Sequence, residues 1–498
     1  MNSGGRHSPP PDDYLVHHQT PLLLALLLCT CGPAQTSDAT QGSSHPNIIY
    51  ILADDMGYGD LSVLGQKAFT TPNIDRLAAE GMLFTEHYAG SAVCAPSRGS
   101  LMTGMHTGHS PVRGNTFFPG VGVAPLVDSL LTVPEAIKRG TDYTTAMTGR
   151  WHLGGELSDQ TPYHRGFDYH FGKLSADFPN RTGTFIGGLF DERGRHVPYD
   201  VYSKRGIEPM YENGHYYNLS EDELAADTIN MDRMVTDKAV AYIRQPRQRP
   251  YFLYVAYAIP HDPMDYHPNY PVSDSLPAAE RAFVSMMLAL DAYVGDIVAA
   301  VDAAGQRENT LILFTTDNGA HNEGGHDYTY FNSSGPFTEY KRSFHEGGMR
   351  APMIARWPGT VAAGSRSDLL CAMWDLMPTV CDIAGAPIPE QTDGISLLPT
   401  LTGRGTQAEH DYLYWEFNEN VHFEKTEFKQ AVRTGRWKGI LYLNEDRFEL
   451  YDLVADLAER ENVAASHPEV VARIRDIMRQ AHVPNANFPL LPEERSGR

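Results

Sequence analysis

From about residue 46 onward, apolar and polar positions fall into blocks that predict strands and helices in turn. NIIYILADD, Asn47 to Asp55, is an apolar run that ends in two acids and reads as a buried strand. TPNIDRLAAEG, Thr71 to Gly81, predicts a helix with Pro72 early and Gly81 closing it. TVPEAIKRG predicts a short helix and the following YTTAMTG a strand. MDRMVTDKAVAYIRQ has helical spacing, and YFLYVAYAIP is a second buried strand. Ala278 to Gly305 predicts a long amphipathic helix, followed by the strand-like TLILFTTDNG and later APMIARWPG. Apolar strands separated by helices predict an α/β fold, with a parallel sheet covered on both faces. Ligands bind such sheets beyond the carboxyl ends of the strands. Asp54, Asp55, His152, His261, Asp317 and Asn318 all fall at such ends.

After about Gly385 the texture changes. Pro, Gly and Thr are frequent through Gly405; then HDYLYWEFN, KQAVRTGRWKGILY and FELYDL give three strand-like runs suited to an antiparallel sheet. HPEVVARIRDIMRQAH predicts a closing helix. The expected organisation is an export and flexible segment over 1–44, a catalytic α/β domain over 45–385, and a linker with a smaller α+β subdomain over 386–498. Phe178 to Glu223 lacks periodicity and is rich in Gly, Tyr, Arg and Asp, as in a long insertion near the active face. Its tyrosines from Tyr199 to Tyr217 suit either stacking on sugar rings or ordinary packing.

PLLLALLLCTC, Pro21 to Cys31, is too short to span a bilayer and is followed by the small and polar GPAQTSDATQ. It predicts export to the periplasm or the exterior. The stretch before it is long and carries Asp12 and Asp13 with Arg6 as its one fixed cation, which also fits a start further downstream. Cys29 and Cys31 allow a lipid-anchored export signal, although the residues before each suit one poorly. No later stretch reads as long and apolar enough for a transmembrane span.

The net charge of −22, from 62 acidic and 40 basic residues, argues against a nucleic-acid partner. It does not argue against a small anionic substrate, because local cations dominate inside a pocket. Of five cysteines, Cys94, Cys371 and Cys381 lie beyond the export segment, which is no disulfide framework. Cys371 and Cys381 are expected to be free and buried.

Two acid-rich pairs follow strands: Asp54 with Asp55, and Asp317 with Asn318. Carboxylates gathered at one sheet edge repel unless a hard cation joins them, and oxygen-only ligands suit calcium or magnesium. Each pair alone also suits a helix cap or turn. In SAVCAPSRGSLMTG, Ser91 to Gly104, Pro96 suits a helix start just after Cys94, where backbone N–H groups favour anions. Arg98 is placed to reach back toward the same point.

Cys94-Ala95-Pro96-Ser97-Arg98 resembles the Cys-x-Pro-x-Arg signature of the type I, formylglycine-dependent sulfatases, and Gly99, Thr103 and Gly104 extend the match. Further elements of that family recur in order from Pro46 to Leu453: TGRWHLG, AIPHDP, EYKRSFHEGGMRAP and the YDL of Tyr451 to Leu453. The resemblance implies the alkaline phosphatase-like fold, a large mixed, mostly parallel sheet between helices, with a smaller C-terminal antiparallel sheet. It implies that a formylglycine-generating enzyme converts Cys94, reading Cys94, Pro96 and Arg98. It implies a metal, calcium before magnesium, on Asp54, Asp55, Asp317, Asn318 and the modified residue 94. Arg98, Arg150, His261 and Lys341 match the sulfate contacts. Cys94, Arg98, Arg150, His152, His261, Asp317 and Lys341 match the catalytic set.

In the implied reaction the hydrated formylglycine attacks sulfur with Asp317 as proton acceptor. Calcium, Arg98, Arg150 and Lys341 stabilise the sulfuryl oxygens. His261, with Lys341, protonates the leaving alcohol, and His152 is the base for sulfate release. The substrate would be a sulfated carbohydrate or an aryl sulfate. Two positions depart from the family: Arg150 stands where Lys is usual, a wider planar fork in place of a point charge, and His345 stands where Tyr is frequent. Two other functions suit the same residues: a phosphate or phosphonate ester hydrolase on this fold, and a non-catalytic sulfated-glycan binding protein.

Overall fold

The computed structural model describes residues 45–118, 122–123, 125–154, 159–174, 189–190, 196–197, 210–217, 230–262, 264, 266–419 and 427–495. The described residues of Ser43–Arg498 belong to one compact unit. The apolar run Pro21 to Cys31, with Cys29 and Cys31, lies outside the described residues.

The continuous apolar runs become the centre of the main sheet, where both faces are covered and every residue but Ala258 is buried. The strands in chain order are β1 (Asn47–Asp54), β2 (Met82–Phe84), β3 (Thr144–Arg150), β4 (Tyr169–Lys173), β5 (Tyr211–Glu212), β6 (His215–Tyr216), β7 (Tyr251–Pro260), β8 (Thr310–Thr316), β9 (Met353–Arg356) and β10 (Ser365–Ser367). They form one ten-stranded sheet in the order β6-β5-β4-β3-β7-β1-β8-β9-β2-β10. The five strands β4, β3, β7, β1 and β8 run parallel. β9 is antiparallel to both β8 and β2, so the sheet is mixed on that side.

The helices sort to two faces by where their apolar residues point. α1 (Pro72–Ala79), α4 (Met231–Arg244) and α5 (Ala278–Ala303) cover one face through Ile74, Leu77, Val235, Phe283 and Met287. α2 (Cys94–Thr103), α3 (Val133–Ile137) and α6 (Leu376–Ala384) cover the other through Leu101, Met102, Val133 and Val380. Contrary to the sequence reading, one later segment does reach the length and hydropathy of a membrane span: the 26-residue α5. Its residues are mostly buried against the sheet, so its apolarity is explained by the core.

The strand ends that carry the site are brought close by glycine. Gly149 sits at φ 110°, and a Cβ there would lie 1.8 Å from the carbonyl oxygen of Ala256 on β7. No side chain fits, so β3 and β7 approach closely just before Arg150.

The later part of the chain forms a separate four-stranded antiparallel sheet: β11 (Leu413–Glu419), β12 (Glu427–Thr434), β13 (Trp437–Tyr442) and β14 (Arg447–Asp452). The sequence suggested three strands. KQAVRTGRWKGILY instead turns back on itself at Gly435 and Arg436, with Thr434 paired to Trp437 and Gly435 at φ 53°. α7 (Pro468–Ala481) covers one face through Ile474 and Met478. The other face sets Trp415 and Ile440 against Tyr88, Val93 and Trp374, which backs the segment leading into Cys94.

Most of the insertion from Phe178 to Glu223, including Tyr199 and Tyr202, lies outside the described residues. Tyr211 is buried in the hairpin that extends the sheet. Tyr217 packs edge-on against Phe171 at 5.0 Å and carries Lys238 over its ring at 4.7 Å. These two tyrosines are packing residues, which corrects the sugar-stacking alternative for them. Cys371 and Cys381 are buried free thiols.

Candidate active site

Four adjacent parallel strands, β3, β7, β1 and β8, deliver polar side chains to one edge. Asp54 is the last residue of β1; Asp55 follows it; Asp317 and Asn318 follow β8 in register beside them. Asp55 adopts φ 68° and His152 φ 62°. Left-handed backbone in such residues costs about 1–3 kcal/mol and persists only where the surroundings impose it. Both residues leave their strands in this conformation.

Asp54, Asp55 and Asp317 each offer an oxygen, and the three lie within 4.8 Å of one another. All three carboxylates are fully buried. Arg98 Nη2 donates to Asp54 Oδ2 at 3.0 Å and to Asp317 Oδ2 at 2.8 Å, and Arg98 Nε donates to the same Asp317 oxygen at 3.0 Å. Arg150 Nη1 donates to Asp54 Oδ2. Lys341 Nζ and Asn318 Nδ2 donate to the two oxygens of Asp55, each at 2.7 Å. Burial and the neighbouring Asp54 push Asp317 well above the usual carboxylate range although Arg98 lowers it. Asp54 is held well below that range because Arg150 and Arg98 outweigh its burial.

Three carboxylates so close together charge together only with enough positive charge beside them. Asp54 Oδ1 and Asn318 Oδ1 are buried acceptors without a hydrogen-bond partner among the described residues. Leftover buried acceptors in an oxygen-only set are what calcium or magnesium takes. The residues present therefore fit the metal that the family resemblance implies.

Cys94 is the first residue of α2, with Val93 extended before it, and all ten residues of the helix are buried. Pro96 is thus the third helical residue. Cys94 Sγ, an oxygen of Asp54 and a nitrogen of His261 lie within 4.8 Å of one another. Burial raises the thiol, but Arg150, Lys341 and a hydrogen bond from His261 outweigh it, so the pKa is lowered overall. A lone cysteine in such an electropositive site has chemical rather than packing character.

The two histidines are tuned in opposite directions. Burial, Arg150 and Arg98 hold His152 well below its ordinary pKa, so it is neutral, and its Nδ1 has no partner among the described residues. For His261, burial and Lys341 act downward, but Asp55 and Asp54 outweigh them and bring it to about 9. Its Nδ1 donates to the carbonyl oxygen of Asp262 at 2.5 Å, leaving Nε2 3.7 Å from Asp55 Oδ2. A neutral imidazole suits a base and a charged one an acid.

Every site residue read from the sequence is in this cluster. Several of its members were not read there. Asn115 Nδ2 lies 3.9 Å from Cys94 Sγ while its Oδ1 accepts from Ala95 N at 3.1 Å. Ser97 Oγ donates to the carbonyl oxygen of Asp317 at 2.5 Å. Glu323 accepts from Lys341 at 2.7 Å. No spacing rule marks Asn115, which a loop returns to the start of α2; Glu323 stands only five residues beyond Asn318, in an EGG run that reads as a turn. His345 lies apart from the metal-facing residues, between Ser343 Oγ at 2.9 Å and Tyr451 OH at 3.3 Å of the YDL motif.

A buried thiol at a helix start, an oxygen-lined carboxylate cluster that could hold a metal and convergent cations on this sheet point to a hydrolase of anionic esters. The family model described as Sulfatase matches residues 46–386. A second, N-sulphoglucosamine sulphohydrolase, C-terminal, matches residues 336–483. The chain belongs to the sulfatase family and is a sulfuric ester hydrolase, which sets aside the phosphate-ester and non-catalytic readings. It is 32% identical to the arylsulfatase A of Homo sapiens over 489 residues, covering 87% of each protein. It is 29% identical to the N-acetylgalactosamine-6-O-sulfatase of Bacteroides thetaiotaomicron over 511 residues, covering 92% of this chain and 97% of that one. Among solved structures it is similar to Ps i-CgsB, determined in complex with k-i-k-neocarrahexaose, with a TM-score of 0.70 and 26% identity over 88% of this chain and 93% of that chain.

Proposed function

We propose that this sulfatase is exported and removes sulfate from a glycan, using formylglycine at position 94 and calcium held by Asp54, Asp55, Asp317 and Asn318. The observation that carries it is the convergence of Cys94, Asp54 and His261 within 4.8 Å at the edge where Arg150 and Lys341 also end. Bound calcium would neutralise the carboxylates and polarise oxygen ligands, and an aldehyde hydrate at residue 94 would supply a nucleophilic hydroxyl.

This chain's own residues do the rest. Arg98 orients Asp54 and Asp317. Arg150 has Nη1 on Asp54 and offers the remainder of its fork to sulfate oxygens, a planar contact that the usual lysine lacks. Lys341, held on Asp55, adds a second cation. His261 gives a proton to the departing alcohol, and neutral His152 takes one when sulfate is released. The glycan reading is supported by the names of relatives in animals and bacteria that act on N-acetylgalactosamine 6-sulfate.

The test begins with protein purified from its native host. The peptide containing Cys94 should show the mass of aldehyde in place of thiol, and the protein should release sulfate from N-acetylgalactosamine 6-sulfate. Thiol throughout, with no sulfate release from glycan or aryl sulfates, overturns the proposal.

A further inference from the structure

Lys341 is held by two carboxylates, and only one belongs to the metal cluster. Its Nζ donates to Asp55 Oδ2 and to Glu323 Oε2, both at 2.7 Å. Its backbone N–H is fixed to Ala320 O at 2.7 Å. An ammonium has three donors, so two fixed acceptors set the direction of the third. Asp55 is 0% exposed and Lys341 2%, whereas Glu323 is 24% exposed and lies toward solvent. Oxygens of Asp55 and Glu323 and a nitrogen of His261 lie within 4.8 Å of one another. Glu323 therefore borders the place where His261 and Lys341 meet.

Glu323 is itself clamped. Its Oε1 accepts from Arg342 Nη1, next in sequence to Lys341. Consecutive residues of an extended chain point to opposite sides. Arg342 adopts φ 74°, a left-handed kink that lets both cations reach one carboxylate.

We propose that Glu323 is a positioning residue that aims Lys341 at the oxygen of the departing alcohol. This rests on the sulfatase reading above. As the sulfur–oxygen bond breaks, its electron pair stays on the alcohol oxygen, and the sulfuryl group passes to the nucleophile at position 94. Lys341 stabilises the oxygen by a hydrogen bond, and the proton it finally carries comes from His261 Nε2. A poor leaving group, such as a sugar hydroxyl, depends on this help. A nitrophenolate delocalises its own charge and depends on it little.

The experiment uses calcium-loaded enzyme with aldehyde at position 94 verified by mass, and compares a sugar 6-sulfate with 4-nitrophenyl sulfate. Glu323→Gln keeps the shape and loses the charge; Glu323→Asp keeps the charge on a shorter arm. The Gln variant should lose roughly 100-fold in kcat on the sugar sulfate, the scale of an acid contribution, and less than about fivefold on the aryl sulfate. KM should change little, and the Asp variant should recover much of the loss. Equal losses on both substrates, or no loss on either, would overturn the assignment, because a general structural role does not discriminate leaving groups. If Gln does not fold, Glu323→Ala carries the same comparison, with selective loss supporting and equal loss, or none, overturning. If the unaltered enzyme turned over neither substrate, the proposed function above would fall and this assignment with it; an active enzyme indifferent to Glu323 removes this assignment alone.

Discussion

Arg98 donates twice to a single oxygen of Asp317, from Nε at 3.0 Å and from Nη2 at 2.8 Å. The same Nη2 reaches Asp54 Oδ2, so one guanidinium on α2 ties together the ends of β1 and β8. Both partners are fully buried. Removing one member of a buried charge cluster leaves the others uncompensated and costs about 3–5 kcal/mol. Arg98→Ala should therefore lower unfolding stability on that scale in calcium-free urea titrations, and Arg98→Lys should recover part of it. Stability is the informative readout here, because Arg98 also lies in the motif proposed for maturation. An Arg98→Ala protein as stable as the parent would show that this pairing does not organise the strand ends.

Cys94→Ala should behave in the opposite way. The side chain is small, and its polar neighbours Asn115 and His261 each keep another hydrogen bond. The fold should persist with a change of about 1 kcal/mol, a typical value for a single substitution. Sulfate release should fall by roughly 1000-fold or more, as when a nucleophile is removed from a cooperating set. Cys94→Ser should match it unless the host converts serine. Sulfate release near the parental rate in Cys94→Ala would remove residue 94 from the chemistry.

The strands that build this site were legible because β1, β7 and β8 are buried on both faces and so appear as unbroken apolar runs. The placement of Asp54, Asp317 and Asn318 follows from that pattern and from the rule that ligands bind at strand carboxyl ends. Arg98 and Lys341 were legible through the motifs around them. Glu323 and Asn115 were not, because each reaches the site through a loop whose path is set by tertiary contacts rather than by period. The fourth strand of the C-terminal sheet was hidden for a different reason: the two-residue turn at Gly435 and Arg436 interrupts the strand pattern too briefly to be seen. α5 was legible as a long helix, but its span-like length and hydropathy were not, because a helix covered on most sides and a membrane helix share one composition.

Calcium should stabilise the fold independently of turnover. Three buried carboxylates lie within 4.8 Å of one another. A ligand bound only to the native state contributes about 2.7 kcal/mol at one hundred times its Kd. Thermal midpoints should rise with added calcium and fall with a chelator, in both the parent and Cys94→Ala. Magnesium should act more weakly, since it keeps its water and demands a tighter octahedron. Asp54→Asn should abolish most of the calcium-dependent shift. A midpoint unmoved by chelator and calcium alike would exclude the cluster as a calcium site.

His482 predicts a pH dependence outside the candidate site. It follows α7, and its Nδ1 and Nε2 lie 2.7 Å from Glu416 Oε2 and Glu494 Oε1. Burial disfavours its charge, but the hydrogen bonds to Glu416 and Glu494 outweigh this and raise its pKa above the ordinary histidine range. A group with a raised folded pKa contributes stability that is fully present below the unfolded value, near 6.5 for histidine, and is lost as pH rises through the folded value. His482→Gln should therefore be less stable than the parent at pH 6, and the gap should shrink steadily toward alkaline pH. Urea titrations of both proteins across that range measure the difference directly. A gap that stays constant with pH would mean that the imidazole is neutral in the native fold and contributes through packing alone.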